Sequence, residues 1–139
     1  MYITKVRITK KGTEIHYEEY NANGAAETQV LKSEDKAMPS FYKALENLKP
    51  HFLTLLDLPE GWGKGMTMVG LVATYKDGME FSMMAEKSIL GFEKGVLLRT
   101  PKGMFSGEAK ENLAAVCDEA ERFIHGERAQ IPMTFKDDE

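Results

Sequence analysis

The chain has 139 residues, a net charge of −4 and a single cysteine, Cys117. This length fits one domain with a hydrophobic core, and one cysteine excludes a disulfide framework within the chain. The acidic balance argues against broad, non-specific binding to nucleic acid or to an anionic membrane. No segment has the apolar block of a signal peptide or a membrane span, which predicts a cytoplasmic protein.

The first part of the chain predicts a three-stranded antiparallel meander. Apolar and polar residues alternate over 2–9 and again over 12–20, as in strands with one buried face. Asn23-Gly24 is a strong signal for a hairpin turn and precedes a third strand at about 27–32.

The alternation also assigns faces to the first hairpin. Tyr2, Val6 and Ile8 share the apolar face of the first strand. Lys5 and Arg7 lie on its polar face, opposite an acidic second strand, so cross-strand ion pairs account for these charges without a ligand.

The period changes between Met38 and Leu58, which predicts an amphipathic helix. Pro39 suits the first turn of that helix. Pro50 does not suit the interior, because it removes a hydrogen bond and clashes with the preceding turn, so we expect a kink or a break there. The apolar positions recur every three or four residues: Phe41, Leu45, Leu48, Phe52, Leu55 and Leu56.

The second half predicts three further strands, a loop and a final helix that Gly126 caps. The element order βββ-α-βββ-α indicates an α+β fold: a mainly antiparallel sheet of about six strands with helices packed on one face. We expect one domain over 1–126 and an extended C-terminal tail over 127–139. The predicted elements are strands at 66–75, 79–85 and 96–100, a loop at 88–95 and a helix at 107–125.

A glycine-rich loop covers 60–65, with the sequence EGWGKG. It contains Gly-Lys but lacks the spacing of a phosphate-binding loop, so we exclude that function. Trp62 stands between its glycines. We expect this side chain either to fold back over the end of the preceding helix or to be an exposed contact residue.

No residue pattern identifies a reaction. The histidines His16, His51 and His125 lie in separate elements without metal-ligating spacing, so no metal site is predicted. Cys117 lies on the apolar stripe of the final helix, where a free cysteine behaves as a small hydrophobe. We therefore predict no catalytic residue and no cofactor; an enzyme would need a deep pocket with convergent polar groups.

The segment Gln130–Phe135, QIPMTF, fits the pattern Gln-x-x-[Leu/Met]-x-Phe. It resembles the hexapeptide by which polymerases and repair proteins dock into the bacterial sliding clamp. The resemblance implies that Gln130 makes polar contacts at the edge of the clamp's cleft while Met133 and Phe135 fill its apolar pocket. Pro132 stiffens the free peptide and lowers the ordering cost of binding. Alternatively, this segment packs on the domain's own sheet or on a second subunit.

Three stretches resemble a group of small bacteriophage and prophage proteins without an assigned activity: Lys5–Ile8, Ala44–Pro59 and Gly126–Gln130. The chain departs from that group at its end, in the spacing of Met133 and Phe135 and in the residues that follow them. The resemblance implies the cytoplasm of a bacterial host and a place among DNA replication or recombination genes. It implies nothing about catalysis.

The leading hypothesis is a non-enzymatic phage or prophage accessory protein that acts through protein contacts, with the sliding clamp as candidate partner. Its candidate partner-binding residues are Gln130, Met133, Phe135 and Trp62.

Two alternatives are kept. One is a self-assembling structural protein, a homo-oligomer with a swapped tail. The other is a single-stranded nucleic acid-binding protein with an OB-like strand order, which is less favoured because an acidic strand lies beside its basic residues. The candidates for that second role are Lys5, Arg7, Lys10, Lys11 and Lys32.

Overall fold

A computed structural model describes residues 1–129, and these form a six-stranded antiparallel sheet with helices packed against one face. The predicted α+β class and element order are confirmed. The strands are β1 (Tyr2–Thr9), β2 (Gly12–Tyr20), β3 (Ala26–Ser33), β4 (Met66–Thr74), β5 (Glu80–Lys87) and β6 (Val96–Arg99). The helices are α1 (Pro39–Glu46), α2 (Lys49–Leu55), α3 (Gly107–Ile124) and a short 3-10 helix, Glu60–Gly63.

The strand order is β3-β2-β1-β4-β5-β6. From either edge of the sheet to its centre, the third, second and first strands of one half follow each other. The first strand of each half lies in the middle, and each half then runs outward as a meander that returns to a helix. The two halves meet where Lys5–Arg7 of β1 pairs antiparallel with Gly70–Val72 of β4. We call this short pairing the seam.

Each half carries a β-bulge at the equivalent position. One lies between Ile3 and Lys5 in β1, and the other between Met68 and Gly70 in β4. The residues that flank the bulge in β4 lie 65 positions after those that flank the bulge in β1 (68 − 3 and 70 − 5). The two halves are therefore related by an approximate twofold axis through the seam, although their sequences show no clear repeat.

The bulge in β1 corrects the predicted face of Tyr2. Regular alternation places Tyr2 with Val6 in the core, but the extra residue of a bulge shifts the alternation by one. Ile3 and Val6 are buried instead, while Tyr2 is exposed opposite Glu18 on the other face. We call that other face, which points away from the helices, the open face.

Backbone groups near both bulges are bonded by side chains. The Tyr75 hydroxyl donates a hydrogen bond to the Ile3 carbonyl at 2.6 Å. The Met68 amide donates to Oε2 of Glu46 at 3.0 Å. These bonds matter because an unpaired backbone group buried away from water costs about as much as a lost hydrogen bond.

The predicted break near Pro50 is confirmed, since α1 ends at Glu46 and α2 begins at Lys49. Pro50 lies in the first turn of α2, where its missing N–H has no helical partner to lose. Leu48, in the break, and Phe52, in α2, are both fully buried.

The predicted cap at Gly126 is also confirmed. Gly126 has a φ of 101°, and the Glu127 amide donates to the Arg122 carbonyl at 3.0 Å, as in a Schellman motif. The end of α2 has the same arrangement, because the Leu58 amide donates to the Leu53 carbonyl at 2.8 Å. There the left-handed residue is Asp57, with a φ of 53°.

We expect Asp57→Gly to raise the free energy of unfolding by about 0.5–1 kcal/mol. The left-handed conformation costs a non-glycine residue about 1–2 kcal/mol, and the greater freedom of glycine in the unfolded chain offsets about 0.4–1 kcal/mol of that. Urea denaturation followed by circular dichroism measures the change. Asp118→Gly, within α3, is the matched control and should destabilise by about 0.3 kcal/mol, because glycine has a slightly lower helix propensity than aspartate. A loss of stability in Asp57→Gly would contradict this account.

Candidate protein-interaction surface

The two most exposed large apolar side chains of residues 1–129 lie together, in the connection between β5 and β6. Leu90 is 101% exposed and Phe92 72% exposed. Ile89, Val96 and Leu97 are exposed beside them in the chain. We call these five residues the apolar hairpin.

A defined turn holds the tip of the apolar hairpin. The Phe92 amide donates to the Ile89 carbonyl at 3.1 Å, and Gly91 has a φ of 91°. Positive φ at the third position is what a type II turn requires, and it leaves Leu90 at the apex. At the base, the Ser88 amide donates to the Gly65 carbonyl at 2.9 Å.

Trp62 lies beside the strand that leads into the apolar hairpin. Trp62 is 40% exposed, and Nζ of Lys87 lies 5.5 Å from the centroid of its ring. The same ammonium donates to the Trp62 carbonyl at 3.1 Å and also to the Lys64 carbonyl. Because Lys87 is the last residue of β5, these contacts tie the 3-10 helix to the start of the apolar hairpin.

Sequence reasoning assigned residues 88–95 to a loop and did not single out their apolar side chains. The sequence does contain a signal for a contact surface. Ile89, Leu90 and Phe92 are large apolar residues in a segment where Gly91 and Gly95 indicate a loop. Large apolar residues in a connection either join the core or form a contact surface. Only the fold shows which, because burial depends on residues distant in sequence.

The C-terminal end of the described chain is anchored to the domain through Arg128. Nη1 of Arg128 donates to Oδ2 of Asp35 at 2.8 Å, and Nε donates to the Phe123 carbonyl at 3.2 Å. The guanidinium carbon lies 4.4 Å from the centroid of the Phe123 ring. The hydrogen bond from Arg128 lowers the pKa of Asp35, so the carboxylate stays charged as its partner.

Next to that anchor, the Ala129 amide donates to the Lys36 carbonyl at 3.0 Å. Gln130, Met133 and Phe135, which the sequence proposes as clamp contacts, lie outside the described residues. The hexapeptide therefore begins immediately after two residues that are bound to the domain.

Three of the five basic residues proposed for nucleic acid lie on one face of the sheet. Lys5 and Arg7 of β1 and Lys32 of β3 point to the open face. The other two, Lys10 and Lys11, lie in the turn between β1 and β2. The sheet itself is open, with β3 and β6 at opposite edges, and so it differs from the five-stranded barrel of an OB-fold.

Glu14 lies among the basic residues of the open face. The strand register places it between Arg7 and Lys32, and its Oε2 lies 3.8 Å from Nζ of Lys5. Its pKa is lowered, first by the hydrogen bond with His16 at 2.5 Å and then by the two lysines. Glu14 is therefore a carboxylate at neutral pH and compensates part of the positive charge.

Two titratable groups, Cys117 and Tyr75, are partly buried against the core. Burial raises the pKa of the Cys117 thiol to about 12, with Asp118 and Glu121 adding to the effect. Burial likewise raises the pKa of the Tyr75 hydroxyl, which bonds the Ile3 carbonyl. Over residues 1–129, no three His, Cys, Asp or Glu side chains are grouped so that they could hold a metal ion.

Comparison with known proteins finds no match to this chain among protein-family models, curated proteins or solved structures. The resemblance to phage and prophage proteins therefore stays a prediction. Within the described part of the chain, no helix is both long enough and apolar enough to cross a bilayer.

Proposed function

We propose that this chain is a non-enzymatic phage or prophage accessory protein that works by binding other proteins. The observation that carries the proposal is the apolar hairpin. Five large apolar side chains are exposed within residues 89–97, and clusters of exposed apolar side chains are typical of protein interaction sites. The Ile89–Phe92 turn holds Leu90 in place before binding, which lowers the ordering cost of association.

We further propose that the process is DNA replication or recombination in the cytoplasm of a bacterial host. The hexapeptide Gln130–Phe135 supports this choice because it resembles the clamp-binding peptide. Its starting point supports the choice as well. The contacts of Arg128 and Ala129 hold the two residues that precede the hexapeptide against the domain, so we expect a clamp bound to that peptide to lie close to the folded chain.

The full chain should bind a purified bacterial sliding clamp, and the double variant Gln130→Ala/Phe135→Ala should weaken that binding about 100-fold or more. Central contact residues contribute about 2 kcal/mol or more each, and about 1.4 kcal/mol corresponds to a factor of ten. Isothermal titration calorimetry measures the affinity. Asp138→Ala, outside the hexapeptide, is the matched control and should bind as the unaltered chain does. Equal binding by the double variant would exclude the clamp-type peptide.

The apolar hairpin is tested separately by Leu90→Ser/Phe92→Ser in affinity purification from a bacterial lysate. Val30→Ser, at an exposed apolar position of β3, is the control. We expect the double variant to lose partners that the control keeps, with stability unchanged within about 0.5 kcal/mol because these side chains are exposed. Light scattering adds a second measurement. A lower molar mass for the double variant would show that the apolar hairpin contacts a second copy and would favour self-assembly.

A further inference from the structure

The seam leaves a cleft on the open face. β1 and β4 pair only over Lys5–Arg7 and Gly70–Val72, so the strands separate toward the start of β1. A depression of about 840 Å³ opens there, between Tyr2 and Thr4 of β1 and the end of β4. We call it the open-face cleft.

Two exposed tyrosines form one wall of the open-face cleft. The rings of Tyr2 and Tyr20 meet edge to face, with centroids 6.1 Å apart and an interplanar angle of 83°. Tyr75 packs against Tyr2 at 5.2 Å and so supports its ring. Tyr20 is 63% exposed. An exposed aromatic face of this kind is a platform for a planar ring.

The lining of the open-face cleft contains ammonium groups, although the chain as a whole is acidic, and one of them, Lys5, also lies 3.8 Å from Glu14. Lys5 and Lys76 contribute two ammonium groups and Glu18 one carboxylate. The hydroxyl groups of Thr4 and Thr74 line the same space and can donate hydrogen bonds. An anion that carries a planar aromatic group complements both the charge and the tyrosines.

We propose that the open-face cleft binds single-stranded nucleic acid. Unpaired bases stack on exposed aromatic rings, and lysines contact the phosphates between them. A duplex hides its base faces, so it cannot use Tyr20 in this way. This site is independent of the proposed protein contacts, because the apolar hairpin contributes none of its lining residues.

The test is fluorescence anisotropy of a labelled twelve-nucleotide oligothymidylate titrated with the full chain at 50 mM and 200 mM salt. Two phosphate contacts predict a logarithmic salt slope of about −1.4, which weakens binding about sevenfold over this interval. Tyr20→Ala should weaken binding about tenfold through lost stacking. Lys76→Gln should weaken binding and reduce the slope by about 0.7. An oligouridylate of the same length, titrated in parallel, distinguishes a DNA from an RNA preference.

Phe92→Ala and Lys110→Gln are the matched controls, since each removes an exposed side chain of the same kind outside the cleft. Both should keep the affinity of the unaltered chain. Three results would overturn the proposal: no saturable binding at 50 mM salt, equal weakening by Tyr20→Ala and Phe92→Ala, or a duplex that binds as tightly as the single strand. The test of nucleic acid binding is independent of the proposed protein contacts, because Phe92→Ala changes the apolar hairpin and leaves the open-face cleft intact.

Discussion

Gly70→Ala is expected to lower the free energy of unfolding by about 3 kcal/mol or more, a large share of the stability of an ordinary domain. A Cβ atom at Gly70 would lie 2.0 Å from the carbonyl oxygen of Val6 and 3.0 Å from Cε of Met84. The methionine side chain can move away. The Val6 carbonyl cannot, because it belongs to the backbone of β1 within the seam.

Urea denaturation followed by circular dichroism measures this effect. Gly61→Ala is the matched control, because a Cβ atom there meets nothing within 4 Å. It should leave the midpoint nearly unchanged. If Gly70→Ala and Gly61→Ala unfold at the same urea concentration, then β1 and β4 do not approach each other as closely as described.

Phe123→Ala is expected to cost about 3–5 kcal/mol of stability, the range for removing a buried aromatic side chain. Phe123 is fully buried in α3, and its ring meets Phe41 of α1 edge to face with centroids 6.3 Å apart. The cavity would lie between the two helices that pack on the sheet. Arg128 would also lose the ring on which its guanidinium rests.

Thermal and urea unfolding both report on this substitution. Phe92→Ala is the control of equal chemistry, and its exposed ring should leave stability within about 0.5 kcal/mol. A Phe123→Ala variant as stable as Phe92→Ala would mean that α3 does not pack on α1 as described.

The sequence predicted the elements well because their signals are local. Alternation marked the strands, a three-to-four spacing marked the helices, and Pro50 marked the break between α1 and α2. The fold class followed from the element order alone. The face of Tyr2 was wrong because a bulge depends on pairing with a neighbouring strand, which alternation in one strand does not show.

The candidate surfaces were harder to predict, because they depend on contacts between distant residues. The tail was expected to begin at 127, yet Arg128 bonds Asp35, a residue 93 positions away. Trp62 and the apolar hairpin are connected through Lys87, which no local pattern connects to a tryptophan. The open-face cleft exists because the seam is short, and the length of a strand pairing cannot be taken from either strand alone.

The approximate twofold axis through the seam gives this single chain the construction of a dimer. A half-length chain with three strands and a helical segment, joined to a copy of itself through its first strand, would have the same six-stranded sheet. The connection between α2 and β4 makes the association of the two halves intramolecular and so raises the effective concentration of one half around the other. In a single chain the halves are also free to diverge, so Tyr2 and Lys5 of β1 correspond to Thr67 and Gly70 of β4.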